Sequence, residues 1–95
     1  MTVTVLVEAP IKSGNLEKLK ATLANALPET RTKDGCQSVT ANFDADGTTL
    51  VLVQHWDSQA QYEKYLAWRT ETGFLGEVVS MLEGQPSIRF FEPLE

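Results

Sequence analysis

The sequence predicts an α+β fold, a four-stranded antiparallel sheet with its helices on one face, built on the split β-α-β plan. Three observations carry this. Short β-branched runs alternate with stretches of helical apolar spacing in the order β-α-β-β-α(α)-β. The two central strands are joined by an Asp44-Ala45-Asp46-Gly47 turn of hairpin type. At 95 residues the chain has the length of one small domain spanning 1–95.

The first strand is read from Met1 to Glu8, where Val3, Val5 and Val7 alternate with Thr2, Thr4, Leu6 and Glu8, and Pro10 is expected to break it. Ser13-Gly14-Asn15 offers caps to a helix whose Leu16, Leu19, Leu23, Ala26 and Leu27 form one apolar stripe, and Pro28 is expected to stop it. Glu29 to Asp34 is polar and mixed in charge, a loop by composition. Gly35 then introduces a second strand, Cys36 to Phe43, and the third runs from Thr48 to Trp56. Asp57 and Ser58 cap a helix from about Ser58 to Arg69 with Tyr62, Tyr65, Leu66 and Arg69 on one stripe. After a break at Gly73, Phe74, Leu75, Val78, Val79 and Leu82 mark a shorter helix, ended by Gly84 and Pro86. Ser87 to Glu92 supplies the fourth strand, completing a ferredoxin-like arrangement.

Composition narrows the function classes. Hydrophobic residues make up 42% and charged residues 22%, which suits a globular chain rather than a disordered one. A net charge of -5 with scattered lysines and arginines disfavours nucleic acid, since a phosphate-binding surface needs clustered cations. No apolar run is long enough for a membrane helix, and the N-terminus lacks a signal-peptide layout. The single cysteine, Cys36, cannot form an intrachain disulfide, and the expected location is the cytoplasm. One Cys and one His do not make a usual metal-ligand set, and no Gly-rich phosphate loop or serine nucleophile motif is present, so neither metal nor cofactor is expected.

The strands are more apolar than one covered face requires. In the third, Leu50, Leu52 and Trp56 share one face while Val51 and Val53 lie on the other, and Leu6 and the adjacent Phe90 and Phe91 repeat the habit. The helices can cover one face; a second copy of the sheet would cover the other, which points to a homodimer. Extra apolar residues at strand ends would make an ordinary patchy surface instead.

The stretch from Thr48 to Arg69 carries the chemistry. A strand ending on Trp56, beside a helix bearing Tyr62, Tyr65, Trp68 and Arg69, suits the wall of a site for a flat organic ligand. Each of these residues also has a structural reading: Trp56 as a large core side chain, the tyrosines as buried aromatics with satisfied hydroxyls, and Arg69 as a surface partner of Glu71 or Glu77. His55 alternates away from Trp56, towards the expected interface, and Cys36 reads as a small buried apolar residue.

Nearly the whole chain resembles the antibiotic biosynthesis monooxygenase family of dimeric α/β-barrel proteins. The resemblance lies in Asp34-Gly35-Cys36, in Val53-Gln54-His55-Trp56-Asp57-Ser58, in Tyr62-Glu63-Lys64-Tyr65-Leu66 and in Phe90-Phe91-Glu92-Pro93. Family members include cofactor-free oxygenases of polyketide phenols, quinol monooxygenases and haem-degrading enzymes. The resemblance implies that Trp56 and Tyr62 match pocket aromatics. Many members carry a glutamate where this chain has Gln54 and a histidine near Tyr65, and without that histidine a haem role is not implied.

The function implied is a cofactor-independent monooxygenase that oxidises a small aromatic, a hydroquinone, phenol or polyketide-like molecule, with O2. Trp56, Tyr62 and Tyr65 are its candidate catalytic residues, and Gln54, Arg69 and Trp68 its candidate substrate contacts. Trp56 and Tyr62 would hold the ring, Tyr65 and Gln54 contact its oxygens, and Arg69 lower its pKa. Two rivals share the fold: a non-catalytic module binding a small hydrophobic molecule, and a cofactor-free isomerase or cyclase.

Overall fold

The computed structural model describes residues 2–94. The elements are β1 (Val3–Pro10), α1 (Leu16–Thr30), β2 (Cys36–Phe43), β3 (Thr49–Trp56), α2 (Gln59–Glu71), α3 (Phe74–Ser80) and β4 (Ser87–Phe91). The sheet order is β2-β3-β1-β4 with every neighbouring pair antiparallel, so the α+β class and the ferredoxin-like plan are those the sequence predicts. Among the described residues no helix is long and apolar enough to cross a membrane.

Two prolines behave differently from expectation. Pro10 does not break β1 but ends it, opposite Thr49. Strand β4 pairs with β1 only as far as Glu8, so the missing N–H of Pro10 faces no partner strand on that side. Pro28 does not stop α1, which continues to Thr30. A proline in the last turn removes one helical hydrogen bond. Side chains secure the carbonyl of Ala26 nearby, through donation from Thr30 Oγ1 at 3.4 Å and from Arg69 Nη2 at 3.1 Å.

The start of α2 is fixed locally. Ser58 is its N-cap, and its hydroxyl accepts from the backbone N–H of Gln61 at 3.2 Å. The preceding loop passes very close: Gly35 has φ +89°, and a Cβ there would lie 2.6 Å from the Gln61 side chain. Only glycine accommodates both the backbone and the approach.

Strand alternation places Val5, Val7, Ala9, Leu50, Gln54 and Trp56 on the helix-covered face, all buried. The apolar interior forms two clusters. Ala9, Ile11, Leu19, Leu23, Leu50, Val78, Met81 and Leu82 pack beneath α1 and α3. Val5, Val7, Trp56 and Tyr62 pack beneath α2, and the half-buried Leu52 touches both groups. The opposite face carries the half-buried Leu6, Val51, Val53 and His55, with Phe91 45% exposed at one edge.

Candidate functional site

A cavity of about 70 Å³ lies between the two apolar clusters, lined by members of both. Its wall is almost wholly aliphatic and aromatic, with side chains from the sheet (Val7, Leu52, Ile88) and from the helices (Leu23, Leu66, Phe74, Val78). Five polar side chains reach it: Thr30, Gln54, Tyr62, Tyr65 and Arg69. Among the described residues no carboxylate or imidazole does.

Gln54 stands on β3 between Val5 of β1 and Val39 of β2, a buried amide among valines. The indole N–H of Trp56, two residues on, donates to its Oε1 at 3.0 Å. An indole N–H can only donate, so this bond fixes the amide with oxygen towards Trp56 and nitrogen away from it. The Gln54 NH2 has no hydrogen-bond partner among the described residues.

Tyr62 is 2% exposed and packs edge-on against Trp56 at 5.7 Å and Phe90 at 5.7 Å. Its hydroxyl likewise has no partner among the described residues, and yet no fully buried polar atom is left unpaired, so the hydroxyl reaches open space. Burial, with a smaller contribution from Tyr65, raises its pKa to about 12. Tyr62 is therefore a neutral phenol through the physiological range, able to donate a hydrogen bond and unable to act as a phenolate base.

Tyr65 is committed elsewhere. Its hydroxyl lies 2.8 Å from Thr30 Oγ1 and accepts from Arg69 Nε at 3.0 Å. Arg69, 5% exposed, also donates through Nη2 to Thr30 Oγ1 at 2.9 Å, and its Nη1 lies 3.6 Å from a Glu29 carboxylate oxygen. The expected surface pairing of Arg69 with Glu71 or Glu77 is thus replaced by a buried clamp between α2 and the last turn of α1. Thr30, which nothing in the sequence singles out, is the centre of that clamp.

The six candidate side chains do not all meet at the cavity. Gln54, Tyr62, Tyr65 and Arg69 line it. Trp56 is fully buried one layer behind, against Tyr62, Tyr65 and Gln54. Trp68 faces an outer cleft of about 230 Å³ between α2 and the α1–β2 loop, with the Lys33 ammonium 3.7 Å above its ring. His55 points to the open face, its Nδ1 2.9 Å from Ser38 Oγ. A register shift interrupts β2 between Cys36 and Ser38, on the partner strand, and His55 keeps its place on that face. Cys36 packs against the second cluster, and burial pushes its thiol pKa up, with Arg31 partly offsetting this. Among the described residues no group of three His, Cys, Asp or Glu side chains is placed to hold a metal ion.

Residues 2–75 match the family profile described as antibiotic biosynthesis monooxygenase. The chain belongs to that family. Solved structures agree on the fold. Rv0793 from Mycobacterium tuberculosis aligns with a TM-score of 0.86 at 23% identity, covering 100% of this chain and 97% of its own. A conserved protein from Methanosarcina mazei Go1 aligns with a TM-score of 0.87 at 11% identity, covering 97% and 92%. A structure described as an antibiotic biosynthesis monooxygenase gives 0.86 at 13% identity, covering 98% and 99%. At these identities the likeness is one of fold. No curated protein sequence matches the chain.

Proposed function

We propose that this family member is a cofactor-independent monooxygenase of a small aromatic substrate, with Gln54 and Tyr62 as its ligand-holding donors. The observation that carries the reading is their pairing: an NH2 and a phenol O–H, each without a hydrogen-bond partner among the described residues, on the wall of a mostly apolar cavity. Such a wall suits a flat ring with one oxygen that gains electron density during reaction. Trp56 acts through Gln54, by fixing which end of the amide faces the ligand.

With no carboxylate or imidazole of the described residues on the wall, the substrate loses its proton to water and enters as an enolate or phenolate, which the two donors favour. The anion's electron-rich carbon forms a C–O bond to O2, and a proton from water completes a hydroperoxide. Loss of the remaining proton on that carbon then breaks the O–O bond and expels hydroxide. A ketone or quinone carbonyl remains; one oxygen atom stays in the product and the other leaves as water. The protein supplies orientation and a dry, donor-bearing site.

That no carboxylate or imidazole of the described residues lines the wall also favours a second reading, a non-catalytic module that binds the same kind of molecule. In either case we place a second copy of the chain on the open sheet face, over Leu6, Val51, Val53 and Phe91. Oxygen uptake with a panel of hydroquinones and anthrones, and no added cofactor, tests the first reading. Uptake above the spontaneous rate that falls in Tyr62→Phe and Gln54→Leu supports it; binding without uptake favours the second.

A further inference from the structure

The cavity and the outer cleft share one side chain. Tyr65 lines both the cavity and the cleft of Lys33, Asp34, Gln61, Lys64 and Trp68. By itself the cavity, about 70 Å³, has room for a few water molecules and not for a fused ring system. Sites for ligands of that size usually span ~300–1,000 Å³, and joining the cleft of about 230 Å³ brings the space to the lower end of that range.

We propose that Tyr65 is a movable partition and that cavity and cleft form one elongated site, for a flat polycyclic aromatic whose far end carries an anionic group such as a carboxylate. This rests on the reading of Gln54 and Tyr62 as the inner donors.

Of the three neighbouring aromatics, Trp56 and Tyr62 are buried and Tyr65 is only half-buried. Its hydroxyl is latched by Thr30 and Arg69, and when it swings out those two keep their own 2.9 Å bond and their shared contacts with Ala26. The displacement gives up two hydrogen bonds and leaves the α1–α2 clamp standing. Arg69 Nε is then a free donor beside the opened passage. At the outer end Lys33 and Lys64 stand with a single carboxylate, Asp34, which accepts from Gln61 Nε2 at 3.3 Å. The cleft is therefore net cationic in a chain of net charge -5, and the Trp68 ring gives it an aromatic floor.

The test uses 6-hydroxy-2-naphthoate and its neutral carboxamide, titrated into the full chain and followed by the side-chain NMR signals of Gln54 and the indole N–H of Trp68. The proposal expects the acid to move both signals together, and to bind about 1.4- to fivefold more tightly than the amide, the range for exposed ion pairs. It expects Lys33→Gln with Lys64→Gln to erase that preference, and Tyr65→Phe, which removes the latch, to speed association. Movement of Trp68 with Gln54 unmoved, or equal binding of acid and amide, overturns it. Methylhydroquinone, a single ring, separates the two readings. If it moves Gln54 while the naphthoate does not, the joined site alone falls. If neither moves Gln54, the reading of the inner donors falls with it.

Discussion

The indole N–H of Trp56 donates to Gln54 Oε1 across 3.0 Å, and this bond turns the NH2 of a buried amide away from its neighbour, where no acceptor among the described residues meets it. Trp56 thus shapes the cavity without lining it. Replacing Gln54 by Leu removes the acceptor and strands a fully buried indole N–H, which is expected to cost about 1–3 kcal/mol. Urea unfolding of Gln54→Leu against wild type measures this. Gln54→Glu keeps an acceptor for the indole and so retains that bond, but it puts a carboxyl group among valines, whose pKa burial raises.

Tyr62→Phe is expected to behave oppositely in stability and in function. The hydroxyl has no partner among the described residues, so its loss should change unfolding free energy by less than about 1 kcal/mol. Ligand affinity should nevertheless fall by roughly three- to tenfold for the loss of one hydrogen bond. Calorimetric titration and denaturant unfolding on the same variant separate the two effects.

The raised pKa of Tyr62 makes a pH prediction. The unfolded phenol ionises near its ordinary value of 10.0 and the folded one at about 12, so the unfolded state releases its proton first. The stability this group contributes is complete below pH 10 and is lost between pH 10 and 12, with a slope of at most about 1.4 kcal/mol per pH unit. Tyr62→Phe should flatten the alkaline limb by that amount in a pH series of unfolding curves. Activity changes between pH 6 and 9 must arise from another group, the substrate being the expected one.

Arg69 is expected to matter for stability first. Arg69→Met removes donors to Tyr65, Thr30 and Ala26 together, and a loss of about 2–4 kcal/mol follows from hydrogen bonds made by a charged group. Arg69→Lys should restore little, because an ammonium cannot reproduce the forked geometry that reaches all three acceptors. Thermal unfolding of the two variants provides the comparison.

The parity of the strands was legible in the sequence, and with it much of the candidate site. Val5 and Val7 alternate with Thr4, Leu6 and Glu8, and counting by twos from Leu50 reaches Gln54 and Trp56 on the same buried face. The helix stripe of Tyr62, Tyr65 and Arg69 followed from 3.6-residue spacing in the same way. What the sequence hid is contact across the chain. Arg69 reaches Glu29 and Thr30 on another helix rather than the glutamates nearby in sequence, and it is this contact that secures the last turn of α1 past Pro28. Nor does spacing say which of two adjoining spaces a side chain faces: Trp68, three residues beyond Tyr65, lines the outer cleft alone, while Tyr65 lines both.

The account's central claim is oxygen transfer from O2 to an aromatic held by Gln54 and Tyr62. Turnover of an active hydroquinone or anthrone under oxygen-18 gas, in unlabelled water and without added cofactor, tests it most directly by the mass of the product. The account predicts one oxygen-18 atom per product molecule, with the rate of labelled product falling in Tyr62→Phe and Gln54→Leu. Product free of oxygen-18 would contradict it and make the reaction a dehydrogenation with O2 reduced to hydrogen peroxide, and equal turnover under nitrogen would contradict it and make the reaction an isomerisation or cyclisation.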